Sequence, residues 1–196
     1  HVSIEDVIAT RRSNNPAANT WDLESLPALE AVVNNLNGMA EVRALVITGQ
    51  GVKFFSAGAD LNQFANGDPI AAGAMGEAFG AAFETLADYR GVSIAAINGY
   101  AMGGGLEVAL ACDIRIAESH AALALPEAKV GLLPCAGGTQ RLAQLVGEGW
   151  AKRIMLCGER VSAEKAMTLG LVEEVVASGT SLAAAIDLAK RASDQS

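Results

Sequence analysis

Cysteine, histidine, aromatic residues and positive charge are all scarce in this 196-residue sequence, and each shortage removes a class of function. The three cysteines, Cys112, Cys135 and Cys157, are odd in number, far apart and match no metal spacing. They support neither a disulfide framework nor a thiolate cage, and free thiols point to a reducing, cytoplasmic setting. Of the two histidines, His120 stands alone within the chain. A lone imidazole is more often structural than a ligand, so no metal site is expected. Aromatics make up 5% of the chain, which leaves the core to Ala, Val, Leu and Ile. Lys and Arg total 14 against 22 Asp and Glu, giving a net charge of −8 and a pI of about 4.7. No basic run is longer than Arg11-Arg12, so the basic face that a nucleic-acid partner requires is not expected.

Long apolar runs are lacking too. Glu5, Asp6, Arg11 and Arg12 interrupt any leader-like segment near the start. The longest weakly charged stretch, Val92–Cys112, contains Ser93, Asn98, Glu107 and glycines at 99 and 103–105. Those residues turn the chain midway, so a strand, a turn and a buried helix are expected there rather than a membrane span. What the chain has in quantity is glycine, 21 residues with clusters at Gly99–Gly105 and Gly131–Gly138. The usual share is about 7%, and clustering of this kind suits backbone positions with a specific task rather than a linker.

Periodicity places the elements. A first strand is expected at Asp6–Thr10, and Leu26, Leu29, Val33 and Leu36 give helical spacing over Leu23–Leu36, stopped by Asn37-Gly38. Arg43–Gly49 reads as a buried strand, Gly51–Leu61 as a loop, Ile70–Tyr89 as an alanine-rich helix and Val92–Ile97 as a strand. The Gly99–Gly105 turn leads into a helix over Leu106–Ala111. Short strands follow at Ile114–Ala117 and Ala122–Leu125, with helices at Gly138–Val146 and Glu148–Leu156. Ser162–Leu169 has Ser162 as N-cap, Leu171–Val176 is strand-like, and a last helix begins at Leu182. Strands alternating with helices predict an α/β fold, and the absence of a composition break predicts one domain.

Three segments carry chemistry. In Ile97–Glu107 a buried strand enters a glycine-rich turn and then a helix, whose first turn offers unpaired N–H groups and a positive dipole end to negative charge. Close packing of helix on strand would need the same glycines. The dinucleotide fingerprint fails because Val108 stands where its third glycine belongs, and no P-loop occurs. In Phe54–Leu61 small residues follow an aromatic pair and again permit close approach to backbone. In Leu125–Pro134, Glu127 follows an apolar strand twenty positions after Glu107. Two carboxyls beside anion-binding turns suit paired acid/base work better than either does alone.

Taken together, FSAGADL (55–61), INGYAMGGGLEVALACDIRIA (97–117) and ALPEAKVGLLPCAGGTQRL (124–142) resemble the signatures of the crotonase superfamily, the enoyl-CoA hydratases and isomerases, in order and spacing. The resemblance implies a crotonase-like spiral of repeated β-β-α units over residues 1–180, with 181–196 starting a C-terminal helical region that is mostly absent. It implies an oxyanion hole from the Ala59 and Gly104 amides and an acid/base pair of Glu107 and Glu127. Glu127 would donate a proton to C2, while Glu107 positions and activates water. Around them Ala57, Asp60, Leu61, Asn62, Gly103 and Cys135 would contact the substrate. The reaction implied is addition of water to a trans-2-enoyl-CoA, as in fatty-acid β-oxidation, with coenzyme A as part of the substrate and no separate cofactor. Isomerisation, another acyl-CoA reaction of the family, and non-catalytic binding of acyl-CoA or RNA are the alternatives. The Leu23–Leu36 helix carries Glu24 and Glu30 and no Lys or Arg, which disfavours RNA.

The chain also departs from the pattern. Cys135 stands where such hydratases have glycine. Asn62 stands where a basic residue is frequent, which leaves Lys53 and Arg12 as candidate partners for the coenzyme phosphates. The resemblance also implies a homo-oligomer, a trimer or hexamer, which such proteins build with the helices this chain lacks together with faces of the core. A homo-oligomer weaker than theirs is therefore expected, with the segment from Leu182 loosely held and apolar surface left uncovered.

Overall fold

Short apolar strands and longer helices alternate along the chain in a computed structural model that describes residues 2–64 and 67–195. His1 and Ser196, the outer bounds of the two expected regions, lie outside the described residues. The strands are β1 (Val2–Glu5), β2 (Ile8–Ser13), β3 (Ala44–Gly49), β4 (Phe54–Ser56), β5 (Val92–Ile97), β6 (Tyr100–Met102), β7 (Ile114–Glu118), β8 (Ala122–Ala124), β9 (Val161–Ser162) and β10 (Glu174–Val176). The helices are α1 (Ser25–Asn37), α2 (Pro69–Ala87), α3 (Gly104–Ala111), α4 (Gly138–Leu156), α5 (Ala163–Thr168) and α6 (Ser181–Ser193).

Two sheets result. The larger runs β1-β2-β3-β5-β7-β10, parallel except for the β1–β2 pair, and the smaller runs β4-β6-β8-β9. Three times in succession the chain places a strand in the larger sheet, a strand in the smaller one and then a helix: β3-β4-α2, β5-β6-α3 and β7-β8-α4. This is the expected spiral of β-β-α units.

Strand alternation explains why β3 and β5 are buried on both faces. Leu45, Ile47, Ala95 and Ile97 point into the main core, while Ala44, Val46, Ile94 and Ala96 form a second cluster on the opposite face. Helix α6 covers that second face with Ala185 and Ala189, and Arg43 Nη1 donates to the Ser193 carbonyl at 3.0 Å. The segment from Leu182 is thus not loosely held. Small residues at helical spacing let it lie close on the sheet.

Helix α1 buries Leu26, Leu29, Val33 and Leu36, as their spacing predicts, and Asp22 Oδ1 accepts from the Ser25 N–H at 2.7 Å ahead of its first turn. Ser162 caps α5 by accepting from the Lys165 N–H, as expected. Gly147, at φ +76° and ψ 159°, breaks α4 at the boundary predicted between two helices. The first expected strand is displaced, because Asp6 turns the chain with φ +53° and pairing resumes at Ile8. The Asn98 side chain fixes the end of β5: Oδ1 accepts from the Gly49 N–H, and Nδ2 donates to the Gly49 and Gly51 carbonyls. This carboxamide ties the β5–β6 turn to the loop that leads into β4.

Candidate active site

Glycines let two backbone turns interlock between the sheets and the helices. Gly58 takes φ +92°, and a Cβ there would lie 2.7 Å from the Met102 carbonyl oxygen and 3.1 Å from the Gly104 nitrogen. Gly103 takes φ +54° and donates its N–H to the Ala124 carbonyl. Trp21 pairs around residue 59, accepting from the Asp60 N–H and donating to the Gly58 carbonyl, both at 2.8 Å. The Ala59 and Gly104 N–H groups between these bonds donate to no other group among the described residues. Gly104 opens α3, so the positive end of that helix lies beside them.

A cavity of about 580 Å³ opens on these turns. Its walls are mostly apolar: Met75 and Phe79 from α2, with Pro126, Val130, Leu132 and Leu133 opposite. Phe79 packs over Gly104, where a Cβ would stand 2.6 Å from its ring.

Two carboxyls face into this space. Glu107 projects from the fully buried α3 and is itself buried. One oxygen accepts from the Ala136 N–H at 2.8 Å and the Gly138 N–H at 2.9 Å, at the start of α4. Burial pushes its pKa upward against those bonds and against the charge of Arg141. Glu127 stands on a 3-10 turn, Glu127–Val130, and a Cβ on Gly103 would lie 2.9 Å from one of its oxygens. The other oxygen is buried without a hydrogen-bond partner among the described residues. Burial, then the charge of Glu107, pushes its pKa up to about 7. Burial and both carboxylates push the nearby Cys135 thiol up to about 11, so sulfur stays protonated there.

The structure thus brings together Ala57, Ala59, Leu61, Gly103, Gly104, Glu107, Glu127 and Cys135 around one cavity. Asp60 and Asn62 are absent from its walls; Asp60 Oδ1 instead accepts from the Asn62 backbone and side-chain N–H groups. Lys53 and Arg12 do not line it either, and Lys53 Nζ sits 5.3 Å from the centre of the Phe54 ring. The cation that does line it is Lys129, which lay unmarked beside Glu127 in the signature text. Phe79 and Arg141 were also missed, because their contacts with Gly104 and the Glu107 turn are distant in sequence. Among the described residues no helix is long and apolar enough to cross a membrane.

A family model described as enoyl-CoA hydratase/isomerase matches residues 3–196. The short-chain-enoyl-CoA hydratase of Clostridium acetobutylicum is 38% identical over 173 residues, 88% of this chain and 66% of that protein. The carnitinyl-CoA dehydratase of Salmonella typhi is 38% identical over 178 residues, 91% of this chain and 68% of that protein. Among solved structures, Pseudomonas aeruginosa DspI superposes with a TM-score of 0.99 at 62% identity, over all of this chain and 80% of that one. A Bacillus anthracis enoyl-CoA hydratase does so at 0.95 and 36% identity, over 98% of this chain and 76% of that one. The chain spans a little under two thirds of the length of the first curated relatives it matches.

Proposed function

This chain belongs to the enoyl-CoA hydratase/isomerase family, and from that premise we propose that it adds water across the 2,3 double bond of a trans-2-enoyl thioester of coenzyme A. The observation that carries the reading is the pair Glu107 and Glu127, set by separate elements into one apolar-walled cavity beside two unclaimed backbone amides.

In this reading the thioester oxygen accepts from the Ala59 and Gly104 N–H groups. Ionised Glu107 takes a proton from water as the water oxygen bonds to C3. The π electrons move through C2 onto the thioester oxygen as an enolate, which the two amides and the α3 dipole stabilise. One such donor is typically worth about 10²–10³ in rate. The enolate then collapses as the Glu127 carboxyl delivers its proton to C2 on the same face. Glu107 ends protonated and Glu127 ionised, and exchange with solvent restores the pair. Coenzyme A is part of the substrate, and the chain supplies the acid and the base itself.

The test is crotonyl-CoA, followed by loss of the conjugated thioester absorbance. The folded chain should consume it, and no loss would sink the reading. Isomerisation of a 3-enoyl thioester is the second reading. It is favoured by Glu127 alone, since a carboxyl with a pKa of about 7 can both take and return a proton. It would appear as a gain of the same absorbance from a 3-enoyl substrate.

The pH dependence follows from the same pair. Hydration needs Glu127 protonated and Glu107 ionised. As pH rises through about 7 the Glu127 proton is lost, so kcat/KM should fall about tenfold per unit beyond it. On the acid side protonation of Glu107 lowers the rate again, above the ordinary carboxylate range because burial raises that group. The two limbs belong to the coupled pair rather than to single residues. A rate constant from pH 6 to 9 would remove Glu127 as the acid.

A further inference from the structure

The signature segment 124–142 contains an arginine that the reaction above leaves without a role. Arg141 lies in the first turns of α4. Its Nη1 donates to the Ala136 carbonyl at 3.0 Å, and its Nη2 pairs with Glu84 Oε1 of α2 at 2.9 Å. The turn it grips is the one that holds the catalytic carboxylate, since the Ala136 and Gly138 amides donate to Glu107. Between them Gly137 adopts φ +88°, and any side chain there would collide with the guanidinium. Contact thus runs from α2 through Arg141 and one turn of backbone to the Glu107 carboxylate on α3.

Magnitudes identify which part of this matters. Glu84 is 63% exposed, so its ion pair with Arg141 contributes little by itself. The Arg141 side chain is only 19% exposed. It brings positive charge toward a buried carboxylate that otherwise faces Glu127 and the Cys135 thiol, neither of which can supply it. Lys129 lines the cavity but sits exposed on its own turn.

We propose that Arg141 is a positioning residue: by gripping the 136–138 turn and supplying nearby positive charge, it keeps Glu107 aimed at the water in its proton-accepting form. The proposal rests on the role of Glu107 in hydration, and its test separates the two. In Arg141→Gln, kcat for crotonyl-CoA should fall roughly 10–100-fold with little change in KM, the range expected when a reacting group is slightly misplaced. The acid limb of the pH profile should move up by about one unit, as for a carboxylate that loses a neighbouring cation. Arg141→Lys keeps the charge without the fork that reaches carbonyl and carboxylate together. It should restore the limb but not kcat.

A carboxyl ¹³C titration of Glu-labelled protein, with the Glu107 signal assigned by its loss in Glu107→Gln, reads the same effect without turnover. Glu107 should titrate higher in Arg141→Gln than in the parent. Folded Arg141→Gln with an unmoved Glu107 titration would overturn the proposal. If that variant fails to fold, Arg141→Lys with the parent's kcat would overturn it. A chain that hydrates no enoyl thioester yet shows the moved titration would refute the hydration reading and leave Arg141 in its place.

Discussion

Replacing Glu107 or Glu127 by Gln is expected to lower hydration of crotonyl-CoA by about 10²-fold or more while the fold survives, the usual order for a positioned acid or base. Both changes keep the shape of the side chain. In Glu107→Gln the carboxamide oxygen can still accept from the Ala136 and Gly138 N–H groups, so the start of α4 stays held and only the basicity goes. In Glu127→Gln no hydrogen bond to the buried oxygen is lost, because none is made among the described residues.

Stability should respond with a definite sign. The folded pKa of Glu127 lies above its unfolded value, so its contribution is intact at low pH and is lost as pH climbs through about 7. Glu127→Gln should therefore melt higher than the parent at pH 8. The difference should be on the order of 1 kcal/mol after allowance for solvent screening of a partly exposed group. Wild-type rates in both single variants would disprove the pair. Lost activity with a lost melting transition would speak only to folding, which is why the pH-dependent gain at Glu127 is measured beside it.

Gly105→Ala should cause the largest loss of stability. A Cβ at 105 would lie well inside contact distance of the Ser56 carbonyl oxygen, 2.7 Å from its carbon and 2.9 Å from Ser56 Cβ. Ser56 is in β4, which is paired to β6, so neither side can yield without opening the smaller sheet. Overpacking typically costs about 1–3 kcal/mol, and backbone against backbone belongs at the upper end or beyond. For a chain of this size that is a fall in Tm of roughly 6–12 °C. The paired control is Gly73→Ala on α2, where a Cβ meets nothing within 4 Å. Relief of helical glycine should stabilise that variant by about 1 kcal/mol. A Gly105→Ala protein that melts with the parent would mean that α3 and β4 do not pack as described.

What the sequence revealed depended on whether the signal was local. Leu26, Leu29, Val33 and Leu36 sit on one stripe of an exposed helix, so their period marked α1 correctly. The break at Gly147 was legible as the glycine between the two expected helices, Gly138–Val146 and Glu148–Leu156. Strands β4 and β6 were hidden inside segments whose glycines and small residues read as loop or turn, Gly51–Leu61 and Gly99–Gly105. Helix α3 offered no amphipathic stripe because every one of its eight residues is buried, and it was placed by its glycines alone.

At the site, Glu107, Glu127 and both turns were legible as text. Phe79 over Gly104 and Arg141 beside the Glu107 turn were not, because each contact joins elements brought together by the spiral. The last helix was misjudged for a related reason. Its partner surface is the second face of the larger sheet, and nothing in the sequence of α6 announces that Val46, Ile94 and Ala96 lie beneath Ala185 and Ala189.

The two glutamates also ride on elements of opposite exposure. Glu107 belongs to a helix with no residue at the surface, whereas the 3-10 turn that carries Glu127 has no buried residue. Backbone amides in a sheathed helix exchange with solvent deuterium only when much of the molecule opens, while those of an exposed single turn exchange through small local fluctuations. Amide exchange in α3 should therefore be far slower than in the 127–130 turn, which makes Glu107 the more rigidly held of the two carboxyls.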